Sequence, residues 1–268
     1  TPVFDDQPTL NIGSIAIQQN NPSIVWVGTG EGNPRNSLNI GEGIYKTMDG
    51  GKNWKILGLE KTKNIHRIII DPNNPNTVYV AAIGNPYDIH PERGVYKTTD
   101  GGDTWKLILH TNDSSGCADL IIDPTNPNKL IAAMWQFRRT PWNLKSGGKG
   151  SGLFITVDGG KNWKNITPPQ ITSWSKVSIM DAGHFDNNTV YAAVNRIRCD
   201  DMHPYAYKTH DGGKTWQSAN GTLTGDDLAV RSVAIHPENP DIMIRACGNC
   251  SRGRLWKTGD GGKTWTQL

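Results

Sequence analysis

One octapeptide pattern recurs five times in this chain of 268 residues. It reads TMDGGKNW from Thr47, TTDGGDTW from Thr98, TVDGGKNW from Thr156, THDGGKTW from Thr209 and TGDGGKTW from Thr258. The aspartates of the five copies, Asp49, Asp100, Asp158, Asp211 and Asp260, fall about 50 residues apart, the mark of a chain built from repeated supersecondary units. Such a period constrains the fold more than composition does, because one repeat cannot bury its apolar surface without a neighbour.

Each repeat reads alike. An apolar run such as IHRIII (Ile65 to Ile70) ends in an Asp-Pro-x-Asn-Pro turn. That turn recurs from Asp123 and His236, is looser from Gln18, and is replaced by DAGHFDNN in the fourth repeat. Proline presets φ, and Asp or Asn side chains bond nearby amides. A second run such as TVYVAA, a variable loop, a third run such as GVYKT, the Asp-Gly-Gly turn and a fourth run such as TWKLIL follow. Short strands joined by many turns predict an all-β, four-stranded antiparallel unit, and its radial repetition predicts a β-propeller. The expected blades of this single domain are 9–60, 61–109, 110–168, 169–220 and 221–268. Residues 1–6, TPVFDD, read like the outer strand of a further blade. A five-bladed ring with an additional N-terminal strand is the expectation, and part of a larger propeller is the alternative.

The octapeptide itself reads as structural. Thr and Asp side chains can satisfy turn amides, the glycines permit positive φ, and the indoles of Trp54, Trp105, Trp163, Trp216 and Trp265 are expected to pack between sheets. Each buried Trp removes roughly 150–250 Å² from water. One carboxylate per copy is too few for Ca²⁺, so no metal is expected there.

The motif Ser/Thr-x-Asp-x-Gly-x-x-Trp is that of the Asp-box or BNR repeat. The stretches VWVGTGEGNPRNSLNIGEGIYKTMDGGKNW (Val25 to Trp54) and ERGVYKTTDGGDTW (Glu92 to Trp105) resemble bacterial secreted sortilin or VPS10-like propellers. Sialidases and xyloglucan-type endoglucanases share the repeat. The resemblance covers essentially the whole chain and implies the propeller fold and an extracellular or periplasmic location. It leaves activity open, because enzymes and binders share the motif.

In a propeller the Asp-box and Asp-Pro turns share one face, and the loops between second and third strands share the other with the links between blades. The second face is the expected site, since loops on a rigid scaffold carry binding groups. Its candidate ligand-binding residues are Glu31, Arg67, Tyr87, Arg93, Asp119, Trp135, Arg138 and Trp142. Aromatics beside arginines suit sugar rings, carboxylates or peptides. Further cations expected on its loops are Arg35, Arg139, Arg196, Arg198 and Arg252, with His66, Lys176 and Arg231 on the inner strands at the channel mouth. Glu31 and Asp119 are the candidate catalytic acids, and Arg67 with Asp119 is expected to form a channel-lining ion pair. No residue-by-residue match to a sialidase site is present.

Cys117, Cys199, Cys247 and Cys250 are candidate disulfide partners, Cys247 with Cys250 and Cys117 with Cys199 across adjacent blades; a four-thiolate zinc site is the alternative. No cofactor is expected. No run of 18 apolar residues occurs, so no membrane-spanning helix is expected. A net charge of +3 does not argue for nucleic acid. Three functions stay open: a binding module for carbohydrate or peptide, a glycoside hydrolase, and a structural or assembly subunit.

Overall fold

The computed structural model describes residues 1–33, 37–183, 185–225, 229–248 and 253–268. They form five antiparallel sheets. Blade 1 comprises β1 (Ile12–Ile17), β2 (Val25–Thr29), β3 (Ile44–Thr47) and β4 (Lys55–Ile56). Blade 2 comprises β5 (Ile65–Ile70), β6 (Val78–Ala82), β7 (Gly94–Thr98) and β8 (Lys106–Leu109). Blade 3 comprises β9 (Ser115–Ile122), β10 (Leu130–Thr140), β12 (Gly152–Thr156) and β13 (Lys164–Asn165), with β11 (Asn143–Ser146) added as a hairpin on β10. Blade 4 comprises β14 (Lys176–Ala182), β15 (Val190–Arg196), β16 (Asp201–Thr209) and β17 (Gln217–Ser218). Blade 5 comprises β18 (Val230–His236), β19 (Asn239–Gly248), β20 (Gly253–Thr258) and β21 (Thr266–Gln267).

Each octapeptide closes on itself. In blade 2 the Thr98 hydroxyl donates to Asp100 Oδ1 at 2.6 Å and accepts from the Gly102 amide at 3.0 Å. The Thr104 amide donates to the same carboxylate at 3.0 Å. Blade 1 repeats the set with Thr47, Asp49, Gly51 and Asn53. These bonds hold the aspartates in the ionised form. Asp49 is held down to about 2 by the Asn53 side chain and amide and by Thr47, and Asp100, Asp158, Asp211 and Asp260 are held lower still by equivalent donors. Gly102 sits at φ +106°, where a side chain would be strained, and a methyl there would meet Trp26 Cη2 at 2.9 Å.

The same turns join blade to blade. Trp105 donates its indole N–H to Leu57 O of blade 1 at 2.7 Å, and Trp216 donates to Ile166 O of blade 3 at 2.8 Å. Lys46, Lys97 and Lys208 on the third strands reach the carbonyls of Gly101, Gly159 and Gly261 in the following blade. The ammonium groups of Lys46 and Lys97 lie 4.5 and 5.1 Å over the rings of Trp26 and Tyr79. Blade 3 differs, since Ile155 opposite Ile131 takes the place of lysine opposite an aromatic ring.

Nearest the axis, each inner strand skips one residue at the same register: Gly13, His66, Ala118, Ser178 and Arg231. These bulges bend the strands and re-aim side chains. Side chains beyond the bulge bond the next inner strand. The Ile68 amide donates to Ser14 Oγ, the Met180 amide to Asp119 Oδ2 at 2.7 Å, and the Ile235 amide to Asp181 Oδ2.

The chain departs from the closed ring expected above. Packing runs from β1 through β5, β9 and β14 to β18, and among the described residues no comparable packing returns from β18 to β1. Ile12 and Ile15 of β1 are 45% and 58% exposed, whereas their counterparts in the other four blades are at most 7% exposed. The five blades form an open arc. Residues 1–6 take the place of an outer strand. The Trp54 indole donates to Val3 O at 2.6 Å, and Phe4 meets Trp54 and Tyr45 edge-on.

Because the box carboxylates titrate below their unfolded value of 3.8, they favour the folded chain above that pH, and the contribution is lost as pH falls toward 2 and below. Urea midpoints measured from pH 6 to pH 2 are expected to fall, and Asp100→Asn is expected to flatten that fall.

Candidate functional site

The loop-rich face is dominated by one hairpin. β10 continues past its blade and folds back as β11, in the register Phe137 to Ser146, Arg138 to Lys145 and Arg139 to Leu144. One side of the hairpin is buried. Trp135 stacks on Phe137 with centroids 4.3 Å apart, and its indole donates to Ser146 Oγ at 3.0 Å. The Lys176 ammonium lies 4.2 Å over Trp135, and the Arg93 guanidinium lies 4.8 Å over Phe137. Backbone bonds from Phe137 N to Ser114 O and from Arg139 N to Pro86 O pin the hairpin to blade 2 and its exit link. At the tip Trp142 is 85% exposed. Arg138 approaches Asp88 at 3.6 Å, and beside it lies a recess of about 190 Å³ lined by Ile89, Ser114, Gln136, Arg138, Lys145 and Gly147.

Two expected ligand contacts are not on the surface. Arg93 is fully buried. It donates to the carbonyls of Ser114, Asp88 and Asn85, and burial, with the Arg138 charge next, lowers its pKa to about 10. It holds a loop and a link together. Trp135 is likewise buried, as the floor beneath Lys176. Tyr87 accepts the Leu38 amide at 3.0 Å, and Glu31 accepts from Asn11 at 3.4 Å. Arg67 and Asp119 do form the expected ion pair, at 3.0 Å.

Asp119 is committed to structure. Oδ1 accepts from Arg67 and the Leu120 amide, and Oδ2 from the Met180 amide. Burial raises its pKa, opposed by Arg67 and the two amides. Around it the channel mouth is basic. Burial, with Arg231 next, lowers Lys176 to about 8, and burial with the Lys176 and Arg67 charges lowers His66 to about 4. The inner-strand sequences place these groups at the channel mouth but carry no sign that Lys176 lies over Trp135.

The cysteine expectations are corrected in part. Cys117 is buried in β9 and donates to Asp119 O, while Cys199 is exposed beside Trp174 O, so the two do not pair. Burial pushes the Cys117 thiol up. Cys247 is joined to no other described cysteine, and Cys250 lies outside the described residues, as do Arg35 and Arg252. Among the described residues no group of three or more His, Cys, Asp or Glu side chains could hold a metal ion, and no helix is long and apolar enough to cross a membrane.

The Sortilin-Vps10 family model, described as sortilin, neurotensin receptor 3, matches residues 42–168 and 151–268. The chain belongs to the Sortilin-Vps10 family. Among relatives of this Sortilin-Vps10 chain, xyloglucanase Xgh74A of Acetivibrio thermocellus is 25% identical over 301 residues, covering 99% of the chain and 33% of the relative. The chain thus spans about a third of that relative's length. Among solved structures, the GH74 enzyme of Niastella koreensis superposes with a TM-score of 0.67 at 19% identity, covering 96% of this chain and 38% of that one. YCF48 bound to D1 peptide superposes at 0.57 and 17% identity, covering 96% and 66%. These structural likenesses bear on the propeller fold.

Removing the Asp119 carboxylate leaves two inner-strand amides without acceptors, at roughly 1–3 kcal/mol for each buried orphan. Asp119→Ala is therefore expected to lower the unfolding free energy in urea by about 3 kcal/mol. Lys176, whose folded pKa lies below its unfolded 10.5, makes the fold more stable as pH rises from about 8 toward 10.5. Lys176→Met is expected to abolish that rise in a series of urea melts.

Proposed function

We propose that this Sortilin-Vps10 chain is an extracellular binding module whose loop-rich face takes a carbohydrate. The observation that carries this reading is Trp142, held almost fully exposed at the tip of a hairpin whose opposite side is locked by Trp135, Phe137 and Arg93. A rigid, exposed ring offers stacking area to a pyranose with little ordering cost. Arg138 and Lys145, paired across the same hairpin, offer hydrogen-bond donors to hydroxyl or carboxylate groups.

Hydrolysis is the second reading, favoured by the relative named a xyloglucanase. It requires two carboxyl groups flanking the bond, one of them protonated at working pH. Asp119 has both oxygens committed to protein donors, which leaves it poorly suited to proton transfer. A peptide ligand belongs to the binding reading as well, and the likeness to YCF48 bound to D1 peptide motivates a peptide arm in the test.

Xyloglucan oligosaccharides are the first ligands to titrate by calorimetry, alongside a glycan and peptide array. Trp142→Ala is expected to weaken binding about tenfold, equivalent to about 1.4 kcal/mol, with an unchanged melting temperature. Arg93→Glu is expected to unfold the loop rather than to act on the ligand. Release of reducing ends from xyloglucan, abolished by Glu31→Gln, would replace the binding reading with the hydrolytic one.

A further inference from the structure

Two cations at the channel mouth are left with hydrogen bonds to give. Lys176 is half-buried, and among the described residues its ammonium meets the Trp135 ring at 4.2 Å and no hydrogen-bond acceptor. The ring face attracts the charge, yet an ammonium carries three N–H donors that oxygens ordinarily take. Arg67 reaches Asp119 Oδ1 through Nε at 3.0 Å. Among the described residues its two amino nitrogens are uncommitted, and its side chain is 40% exposed. Both charges act on His66, so they stand together at the mouth.

Counter-charge is short there. Burial and then Arg231 press the Lys176 pKa down, with Arg198 adding to them and Asp119 opposing. Asp119 has no further oxygen to offer, because Arg67 and the Leu120 amide take Oδ1 and the Met180 amide takes Oδ2. A cleft lined by one sign of charge concentrates ions of the other sign, and an anion beside a desolvated ammonium restores what burial cost it. The cluster is internal to the chain. Arg67 lies on β5, Asp119 on β9 and Lys176 on β14, the inner strands of blades 2, 3 and 4, and each of these blades packs on a neighbour at both sides. Trp135, beneath Lys176, belongs to the strand that leads out to Trp142.

We propose that Lys176 and Arg67 hold the carboxylate of a uronic acid residue, which makes the ligand of the loop-rich face an acidic glycan; this rests on the carbohydrate reading given above. The two amino groups of Arg67 present the fork that a planar carboxylate takes in two parallel bonds. The Lys176 ammonium adds a point charge with free donors. A neutral sugar gains only hydroxyl bonds at the same place and leaves the excess of positive charge as it is. Trp142 then supplies stacking area common to both kinds of sugar, and the channel mouth supplies the preference between them.

Calorimetry on the intact chain tests this with oligogalacturonate, the same oligomer methyl-esterified, and a xyloglucan oligosaccharide. Oligogalacturonate is expected to bind at least about tenfold more tightly than its ester, by a margin that shrinks as salt is raised. Lys176→Met is expected to remove most of that margin with the fold intact by circular dichroism. Arg67→Lys, which keeps the charge and loses the fork, is expected to reduce it in part. Equal affinity for acid and ester, or a margin that neither substitution changes, overturns the assignment of the acidic group and leaves the carbohydrate reading standing. Failure of all three oligosaccharides to bind, with or without capture of a peptide, overturns both.

Discussion

The Asp-box tryptophan, packed against the preceding blade and, as Trp105 and Trp216, donating its indole N–H to a carbonyl just beyond that blade's outer strand, makes the contact on which the architecture turns. It requires three things from one octapeptide. The threonine and aspartate must hold the turn without outside help, as Thr98 and Asp100 do. The second glycine must bring the backbone flush against the neighbour, as Gly102 does beside Trp26 and Leu57. The tryptophan must then leave the turn toward the previous blade, as Trp105 does toward Leu57. Position along the chain thereby becomes position around the axis.

That contact also explains why the Asp-box aspartates are poor candidates for chemistry. Their oxygens are taken by threonine hydroxyls and by amides of the same turn, and each copy is held far down in pKa by bonds only a few residues away. The axis works differently. There Asp119 is shared among three strands, receiving Arg67 from β5, its own neighbour Leu120, and Met180 from β14. Local carboxylates make the blades and shared ones join them. The side chains of the hairpin tip on the opposite face, Trp142 above all, are taken by neither job.

The period, the strand order within a blade and the role of the boxes were legible because each depends on residues close in sequence. What was not legible depends on distant groups. Trp135 and Trp142 lie seven positions apart in one loop and look alike as text. One is buried by Phe137, Ser146 and Lys176, the other stands at the turn of a hairpin. Arg93 reads as a ligand contact until carbonyls from residues 85, 88 and 114 converge on it. The skipped residue in every inner strand left no common residue type behind, since Gly, His, Ala, Ser and Arg all occupy it. The open arc was hidden for the same reason: Ile12 and Ile15 are as apolar as their covered counterparts, and no pattern within β1 says whether a neighbour is present.

Contacts that, among the described residues, run chiefly from one blade to the next make the energetics nearly one-dimensional. Each internal blade gains from two neighbours and each terminal blade from one. Loss of structure in such a chain starts at its ends and moves inward, so amide hydrogens in β2 and β19 will exchange before those of β10. The middle blade is thus the last to loosen, and it is the blade from which the hairpin bearing Trp142 extends. The most persistent part of the scaffold stands beneath its most exposed ring.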